Sequence, residues 1–149
     1  MFGSIIACVD GSKQAMRAAI TAVELAKRCD ARLPFISVAP EHSKQIDEDL
    51  RRFMEAERLE RPPDEAIDRV RAKLLKGMTD HARKKGHRNV DPIMRTGHPA
   101  HAIVDFARNA GADLIVMGSR GLGDVESVLI GSVSLEVSSR SSCPCLLVK

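Results

Sequence analysis

Short apolar runs alternate along this chain with stretches in which apolar residues recur every three or four positions. The first run, residues 5–9, is continuous and rich in β-branched side chains, a pattern typical of a strand buried on both faces. Asp10 and Gly11 interrupt it, and Ser12 is a residue type that caps helices. Apolar positions then follow at helical spacing as far as Cys29. The pattern predicts a strand, a tight turn and a helix in succession.

The alternation continues to the end of the chain. Further strands are predicted at residues 31–38, 90–95, 114–117 and 143–148, and further helices at residues 64–86, at residues 99–111 and from residue 132 onward. This βαβαβαβαβ order predicts an α/β fold, in which a parallel sheet carries helices on both faces. We expect one domain that spans residues 1–149.

Two prolines fall inside predicted strands, Pro34 in the second and Pro92 in the third. Because proline has no N–H to donate to a ladder, regular pairing of the second strand is expected to begin after Pro34. For the same reason the third strand is expected at a sheet edge. Residues 40–63 form a long charged connection between elements, interpreted as a solvated helix, with a lid or a partner-binding segment as the alternative.

Composition narrows the functions open to such a fold. The 149 residues are 44% hydrophobic and 29% charged, with four Phe, no Tyr and no Trp. The shortage of aromatic rings excludes stacking platforms for single-stranded nucleic acids. The net charge of +3 comes from interspersed basic and acidic residues, which is typical of solvated helices and not of a nucleic-acid interface.

The lengths of the apolar runs and the first residues of the chain indicate where in the cell the protein is expected. No run approaches the ~20 residues of a membrane span, and the first residues lack the basic start of a signal peptide. We therefore expect a cytoplasmic protein with neither a membrane nor a nucleic-acid partner. Its cysteines sit among apolar neighbours, so reduced, buried thiols are expected at Cys8, Cys29, Cys143 and Cys145.

Two predicted loops combine glycine with small polar residues. One follows the first strand at residues 9–12. The other follows the fourth strand and leads from Gly118 and Gly121 to Gly131 and Ser132, with the spacing Gly-x2-Gly-x9-Gly-Ser. Ligands of open α/β sheets bind beyond the carboxyl ends of the strands, where the strand order reverses. Glycines let backbone N–H groups approach an anion, and a helix N-terminus attracts one. The spacing therefore indicates a phosphate site.

Two other phosphate loops are excluded by inspection. A P-loop requires Lys and then Ser or Thr after its second glycine, whereas Gly123 is followed by Asp124. A dinucleotide fingerprint follows the first strand. Here the pair Gly121 and Gly123 follows the fourth strand, and Glu126 stands where the third glycine is required.

With these motifs, the chain resembles universal stress proteins of the UspA type over essentially its whole length. The matching segments are residues 9–12, 113–121, 131–134 and 143–148, and the weakest match lies at residues 40–63. The resemblance implies a five-stranded parallel sheet of order 3-2-1-4-5 and ATP binding. It also implies a homodimer joined through the last strand and a stress-response function as a signalling or protective module, with an unknown protein partner.

The resemblance also implies positions for the nucleoside. Asp10 and Val38 would hydrogen-bond or flank the adenine. Val9 and Met117 would form aliphatic walls, and Gly118 would meet the ribose.

The phosphates would be held by the glycine loop and the helix after it, through Gly121, Gly131, Ser132, Val133 and, as a further contact, Ser134. Arg120 is interpreted either as a phosphate clamp or as a solvated loop residue. Mg²⁺ or Mn²⁺ usually accompanies the phosphates, but no protein ligand for it is evident. Asp124 and Glu126 either aid a metal or weaken ATP relative to AMP or ADP.

Two alternative functions stay open. One is a nucleotide-free dimeric interaction module. The other is a slow ATPase, with Asp10 or Asp124 orienting water, or an adenylyl-transferring enzyme. The loop after the first strand lacks the His-x-Gly-His or Ser-Gly-Gly-x-Asp-Ser signature of such enzymes, and no general base or arginine finger is evident. We therefore predict no catalytic residues.

A metal interpretation also exists for His98 and His101, with Cys143 and Cys145 recruited because alternate residues share a strand face. Zinc requires four converging ligands, and nothing in the sequence brings these four together. The histidines are interpreted as cap and surface residues, and no metal site is predicted. A disulfide across the dimer is expected only under oxidation.

Overall fold

The structure is a computed structural model and describes residues 1–39, 56, 63–122 and 129–149. Its strands are β1 (Ile5–Cys8), β2 (Leu33–Ala39), β3 (Val90–Thr96), β4 (Leu114–Gly118) and β5 (Cys145–Val148). Its helices are α1 (Lys13–Cys29), α2 (Pro63–Lys84), α3 (Pro99–Asn109) and α4 (Ser132–Arg140). Most of the charged connection predicted at residues 40–63 lies outside the described residues, as do Asp124 and Glu126.

The five strands form one parallel sheet in the order β3-β2-β1-β4-β5. The predicted α/β class and strand order are both confirmed. The chain builds outward from β1 in one direction through β2 and β3, then returns to the other side of β1 for β4 and β5. The order therefore reverses between β1 and β4, and the chain leaves their carboxyl ends in opposite directions.

Helices cover both faces of the sheet, because successive side chains of a strand point to opposite sides. On one face Ile5 and Ala7 pack against α1 and α2. On the other face Ile6 and Cys8 pack against α3 and α4. All four residues of β1 are buried, as the continuous apolar run predicts. No helix in the described ranges is both long enough and apolar enough to cross a membrane.

The prolines constrain the sheet in two ways. Pro92 lies in β3, which is an edge strand as predicted. Pro34 pairs with Asp91 of β3, so the expectation that all regular pairing of β2 begins after Pro34 is wrong on that side. The N–H of Leu33 donates towards β3, to Asn89, and alternation turns the nitrogen of residue 34 towards β1. Pairing with β1 begins at Phe35, where no N–H of residue 34 is needed.

Two further expectations are corrected near the cysteines. The last strand begins at Cys145 and not at Cys143, because Cys143 belongs to a turn in which its N–H donates to the Ser141 hydroxyl over 3.1 Å. Only Cys8 is a buried thiol, whereas Cys29, Cys143 and Cys145 are partly exposed. Cys29 lies at the end of α1, Cys143 lies just before the edge strand β5, and Cys145 is the first residue of that strand. All three positions leave the thiol partly open to solvent.

Candidate functional site

A cleft of about 220 Å³ opens at the carboxyl ends of β1 and β4, where the strand order reverses. Ten of the eleven residues predicted for the site line it: Val9, Asp10, Val38, Met117, Gly118, Arg120, Gly121, Ser132, Val133 and Ser134. The structure therefore brings together residues from both predicted loops and from the end of β2. The eleventh, Gly131, lies directly before α4 and is not part of the lining.

The loop after β1 is held by two separate polar side chains. Ser12 is the N-cap of α1, and its hydroxyl accepts from the Ala15 N–H over 3.1 Å. Asp10 is not the cap. One of its carboxylate oxygens accepts from the Ser12 N–H at 2.8 Å, and the other accepts from the Leu122 N–H at 3.2 Å. Asp10 is exposed and thus joins the loop after β1 to the glycine loop after β4 on the solvent side of the cleft.

Gly118 ends β4 in close contact with the start of α1. A Cβ built on this residue would lie 2.9 Å from backbone atoms of Gln14, Ala15 and Arg120. Such a distance is well inside van der Waals contact, so any side chain would push the loop and the helix apart. Glycine is therefore required here by proximity of the backbone. The carbonyl oxygen of Gly118 accepts from the buried Ser134 hydroxyl at 2.7 Å.

The N-terminus of α4 borders the cleft. Gly131 is its N-cap, and the Gly131 N–H donates to the Ser119 carbonyl at 2.6 Å, so that hydrogen is already used within the loop. Ser132 is exposed at the first helical position, and Val133 is partly exposed beside it. The unpaired N–H groups of this first turn are the ones oriented for an anion. Because the Ser134 hydrogen is committed to Gly118, Ser134 lines the cleft without donating into it.

Arg71 of α2 is a cleft residue that the sequence analysis missed. Its Nη2 donates to the main-chain oxygen of Val38 over 2.7 Å, and its Nη1 is buried with no hydrogen-bond partner among the described residues. Burial lowers the pKa of the Arg71 guanidinium, and the nearby carboxylates of Asp68 and Asp10 act in the opposite direction. A half-buried cation with one unused donor group therefore borders the end of the cleft next to β2.

Apolar groups complete the lining and were also missed. They are Cys8, Ala15, Ile36, Pro99, Ile103 and Leu122. Burial raises the pKa of the Cys8 thiol far above its ordinary value, so this sulfur stays protonated and is not a nucleophile. Of the described residues that line the cleft, Asp10 is the one carboxylate, and both of its oxygens accept backbone N–H groups. The described lining thus offers walls and backbone donors, and no ready general base.

The whole chain matches known proteins. The model described as the Universal stress protein family matches residues 1–149. The chain is 33% identical to "Universal stress protein YxiE" of Bacillus subtilis, an alignment that covers 100% of both chains. Among solved structures, "Universal stress protein UspA from Lactobacillus plantarum" is similar with a TM-score of 0.73 and 26% identity, covering 99% of this chain and 97% of that one. A second, "Crystal structure of universal stress protein in complex with cAMP", has a TM-score of 0.68 and 26% identity over 99% and 97%.

Proposed function

Since the chain belongs to the universal stress protein family, we propose that it binds an adenine nucleotide, with ATP as the principal ligand, in the cleft between β1 and β4. It then acts in the cytoplasm as a nucleotide-loaded signalling or protective module in the stress response. The observation that carries the proposal is the meeting of Asp10, Gly118 and the α4 N-terminus at the reversal of strand order. A similar protein whose solved structure contains cAMP supports an adenine nucleotide.

The residue assignments of the proposal follow the cleft from β2 to α4. The adenine lies against the aliphatic side chains of Val9, Val38 and Met117, and the ribose lies near Gly118. Gly121 and the first turn of α4 receive the phosphates. Gly131 contributes by setting the start of α4. Because the chain has neither Tyr nor Trp, the base is held by aliphatic contacts and by main-chain groups.

The phosphate end provides little protein coordination for a divalent cation. Among the described lining residues only Asp10 offers carboxylate oxygens, and each of them already accepts one backbone N–H group. A single carboxylate that already holds two loops does not fit an all-protein site for Mg²⁺ or Mn²⁺, which require several oxygen ligands. An accompanying cation would therefore be held by the phosphates themselves, and no chemical step is derived through it.

The test begins with protein purified without added nucleotide. Denaturation and mass spectrometry of the supernatant identify any nucleotide that the protein retained. In parallel, ATP is added to nucleotide-free protein at about 100 times its dissociation constant, where binding adds about 2.7 kcal/mol to stability and raises the melting temperature by several degrees. Gly131→Val should abolish this rise, because a branched side chain disturbs the N-cap of α4. Ser132→Ala, which keeps the backbone, should reduce it only in part.

The alternatives give different outcomes in the same assays. A nucleotide-free interaction module releases no nucleotide and shows no rise in melting temperature with ATP, which would contradict the proposal. An ATPase releases ADP and phosphate from added ATP over many turnovers, whereas an adenylyl-transferring enzyme releases pyrophosphate as it transfers AMP to an acceptor. Single-turnover assays of Asp10→Ala and Asp124→Ala measure any slow hydrolysis, and unchanged rates would remove both residues as water-orienting groups.

The proposal includes a homodimer formed through β5. Within the described part of the chain this strand pairs with β4 on one side only, and Leu146 is 37% exposed at its centre. An apolar edge strand is a natural site for pairing with a second chain. The opposite edge, β3, carries Asp91, Pro92 and Arg95, which are residues that oppose such pairing.

A further inference from the structure

Outside the nucleotide cleft, His98, His101 and Glu136 converge on the surface formed by α3 and α4. One potential ligand atom from each lies within 4.8 Å of the other two. The Nε2 of His101 is 3.2 Å from Glu136 Oε1, and the Nε2 of His98 is 3.7 Å from Glu136 Oε2. We propose that these three side chains bind a divalent first-row transition-metal ion, Zn²⁺ above all.

Rigid elements hold the three residues together. Gly97 has a φ of +133°, His98 is the N-cap of α3, and Pro99 occupies its first turn, so the start of the helix is fixed by local backbone geometry. Residues three apart on a helix are neighbours on its surface, which places the two imidazole rings side by side with their centroids 4.3 Å apart. Helix α4 packs beside α3 on the same face of the sheet, so Glu136 lies opposite both rings.

The spacing fits the geometry of zinc. In a tetrahedral site with bonds of about 2.1 Å, neighbouring ligand atoms lie about 3.4 Å apart. The separations of 3.2 and 3.7 Å run from the two imidazoles to different oxygens of Glu136, and one ligand atom from each residue lies within 4.8 Å of the other two. Rotation of these exposed side chains would bring the wider separations to about 3.4 Å and close the site. Two imidazoles and one carboxylate form a ligand set that zinc uses when its fourth position is left to water. The histidine side chains are 54% and 51% exposed, so solvent reaches that position.

A neighbouring arginine is compatible with this arrangement. The Nε of Arg140 donates to Glu136 Oε1 at 3.0 Å, and carboxylate ligands of metals are commonly oriented by a hydrogen bond from an outer partner. The competing explanation is a surface network in which Glu136 contacts Arg140 and the two histidines without a metal ion. Exposed ion pairs of that kind contribute little to stability and bind no metal, which is the difference that the experiment measures.

An ion at this position would connect the start of α3 to the second turn of α4, and both helices also border the cleft. Pro99, next to His98, lines the cleft from α3, and Ser132, one turn before Glu136, lines it from α4. The metal site is nevertheless separate from the cleft, because none of its three ligands lines it. Its existence therefore does not depend on whether the chain binds ATP.

The experiment uses full-length protein without a histidine tag, freed of metal by dialysis against a chelator. Zn²⁺ is titrated in competition with a chromophoric chelator in the absence of nucleotide. We expect one Zn²⁺ per chain, with affinity reduced on the order of tenfold or more in His98→Gln, His101→Gln and Glu136→Gln, since even outer-shell changes cost about 10–100-fold. The matched control is His81→Gln on α2, which should bind Zn²⁺ as the unaltered protein does.

Co²⁺ supplies the second measurement. Its ligand-field spectrum should indicate four-coordination in the unaltered protein and in His81→Gln, and should disappear in the His98→Gln/His101→Gln double variant. All four positions are at least partly exposed, so circular dichroism should show folded variants. The proposal is overturned if the double variant binds Zn²⁺ as tightly as the unaltered chain. It is equally overturned if a thiolate charge-transfer band appears and is lost in Cys143→Ser/Cys145→Ser.

Discussion

Arg71 Nη2 donates to the main-chain oxygen of Val38 over 2.7 Å. This contact places a side chain of α2 on the last part of β2, at the cleft end where the proposed function puts the adenine. Under the proposed function, we expect the 6-amino group of adenine to approach this same carbonyl. The arginine then takes up part of the acceptor capacity that the base would use, and the second guanidinium nitrogen, Nη1, has no partner among the described residues.

Replacing Arg71 should increase the contribution of the 6-amino group of adenine to nucleotide affinity. In Arg71→Met the Val38 oxygen is released for the 6-amino group, so the affinity for ATP relative to purine riboside triphosphate, which lacks that group, should rise about fivefold, equivalent to one hydrogen bond of about 1 kcal/mol. Fluorescence competition or calorimetry with both nucleotides measures this ratio. Lys76→Met, an exposed change on the same helix, is the control, and a ratio unchanged in Arg71→Met would show that the base does not use Val38.

The omission of Arg71 from the sequence-based site has a definite physical reason. The sequence places Ile67, Val70, Leu74 and Met78 at helical spacing, which predicts the helix but marks only the apolar part of its inward face. In the structure Leu74 and Met78 are partly buried against the core, Val70 is 66% exposed, and the fully buried line runs through Leu75 and Thr79. Arg71 is one turn before Leu75 and so shares the inward face. A charged residue does not count towards an apolar periodicity, so only its i, i+4 relation to Leu75 could have indicated its position.

Gly118 and Gly77 should respond in opposite directions to the same substitution. A Cβ at Gly118 meets three backbone atoms at 2.9 Å, whereas a Cβ at Gly77, inside α2, has nothing within 4 Å. Gly118→Ala should therefore destabilise the protein by about 1–3 kcal/mol through overpacking. Gly77→Ala should stabilise it by about 0.5–1 kcal/mol, because alanine loses less backbone entropy in a helix.

Urea unfolding followed by circular dichroism measures both free energies of unfolding. Gly77→Ala is the matched control for the chemistry of the change, since both variants add one methyl group. Equal effects of the two substitutions would show that the close contact between β4 and α1 is not maintained in solution.

The glycine motif illustrates what a sequence pattern can and cannot establish. Its spacing indicates the loop after β4 and the start of α4, and the resemblance supplies the remaining positions; ten of these eleven predicted residues line one cleft. The hydrogen-bond partners of those residues cannot be deduced from the spacing. The hydroxyl of Ser134 and the N–H of Gly131 are used inside the loop, through Gly118 and Ser119, and such hydrogen bonds depend on contacts between segments far apart in the chain. Spacing indicates which residues meet, whereas bonding partners depend on the packed backbone.

Charging the β5 edge should separate the proposed dimer. Leu146→Lys adds a cation in the centre of an edge strand, where it opposes strand pairing, so the mass in solution should fall from twice to once the 16.3 kDa of one chain. Light scattering coupled to size-exclusion chromatography measures the mass. Val70→Lys replaces a more exposed apolar residue on α2 and should leave the dimer intact. A monomeric unaltered protein, or a dimeric Leu146→Lys variant, would contradict dimerisation through β5.

Cys8 should make the folded state sensitive to alkaline pH. Burial raises the pKa of its thiol well above the ordinary 9.0, so the thiol stays protonated in the folded protein and ionises in the unfolded one. Its contribution to stability is therefore fully present below pH 9 and decreases as the pH rises beyond it, by up to about 1.4 kcal/mol for each further pH unit. The chain has no Tyr, so the other groups that titrate in this range are its lysines and remaining thiols, among which partial burial also raises the pKa of Cys145. Urea unfolding between pH 7.5 and about pH 10.5, a window around the reference thiol value, measures this dependence. The free energy of unfolding should fall more steeply with pH in the unaltered protein than in Cys8→Ala. The control variant, Cys29→Ala, should follow the unaltered protein. Parallel curves for all three would mean that Cys8 ionises in the folded state as easily as in the unfolded one, and that the inner end of the cleft is open to water.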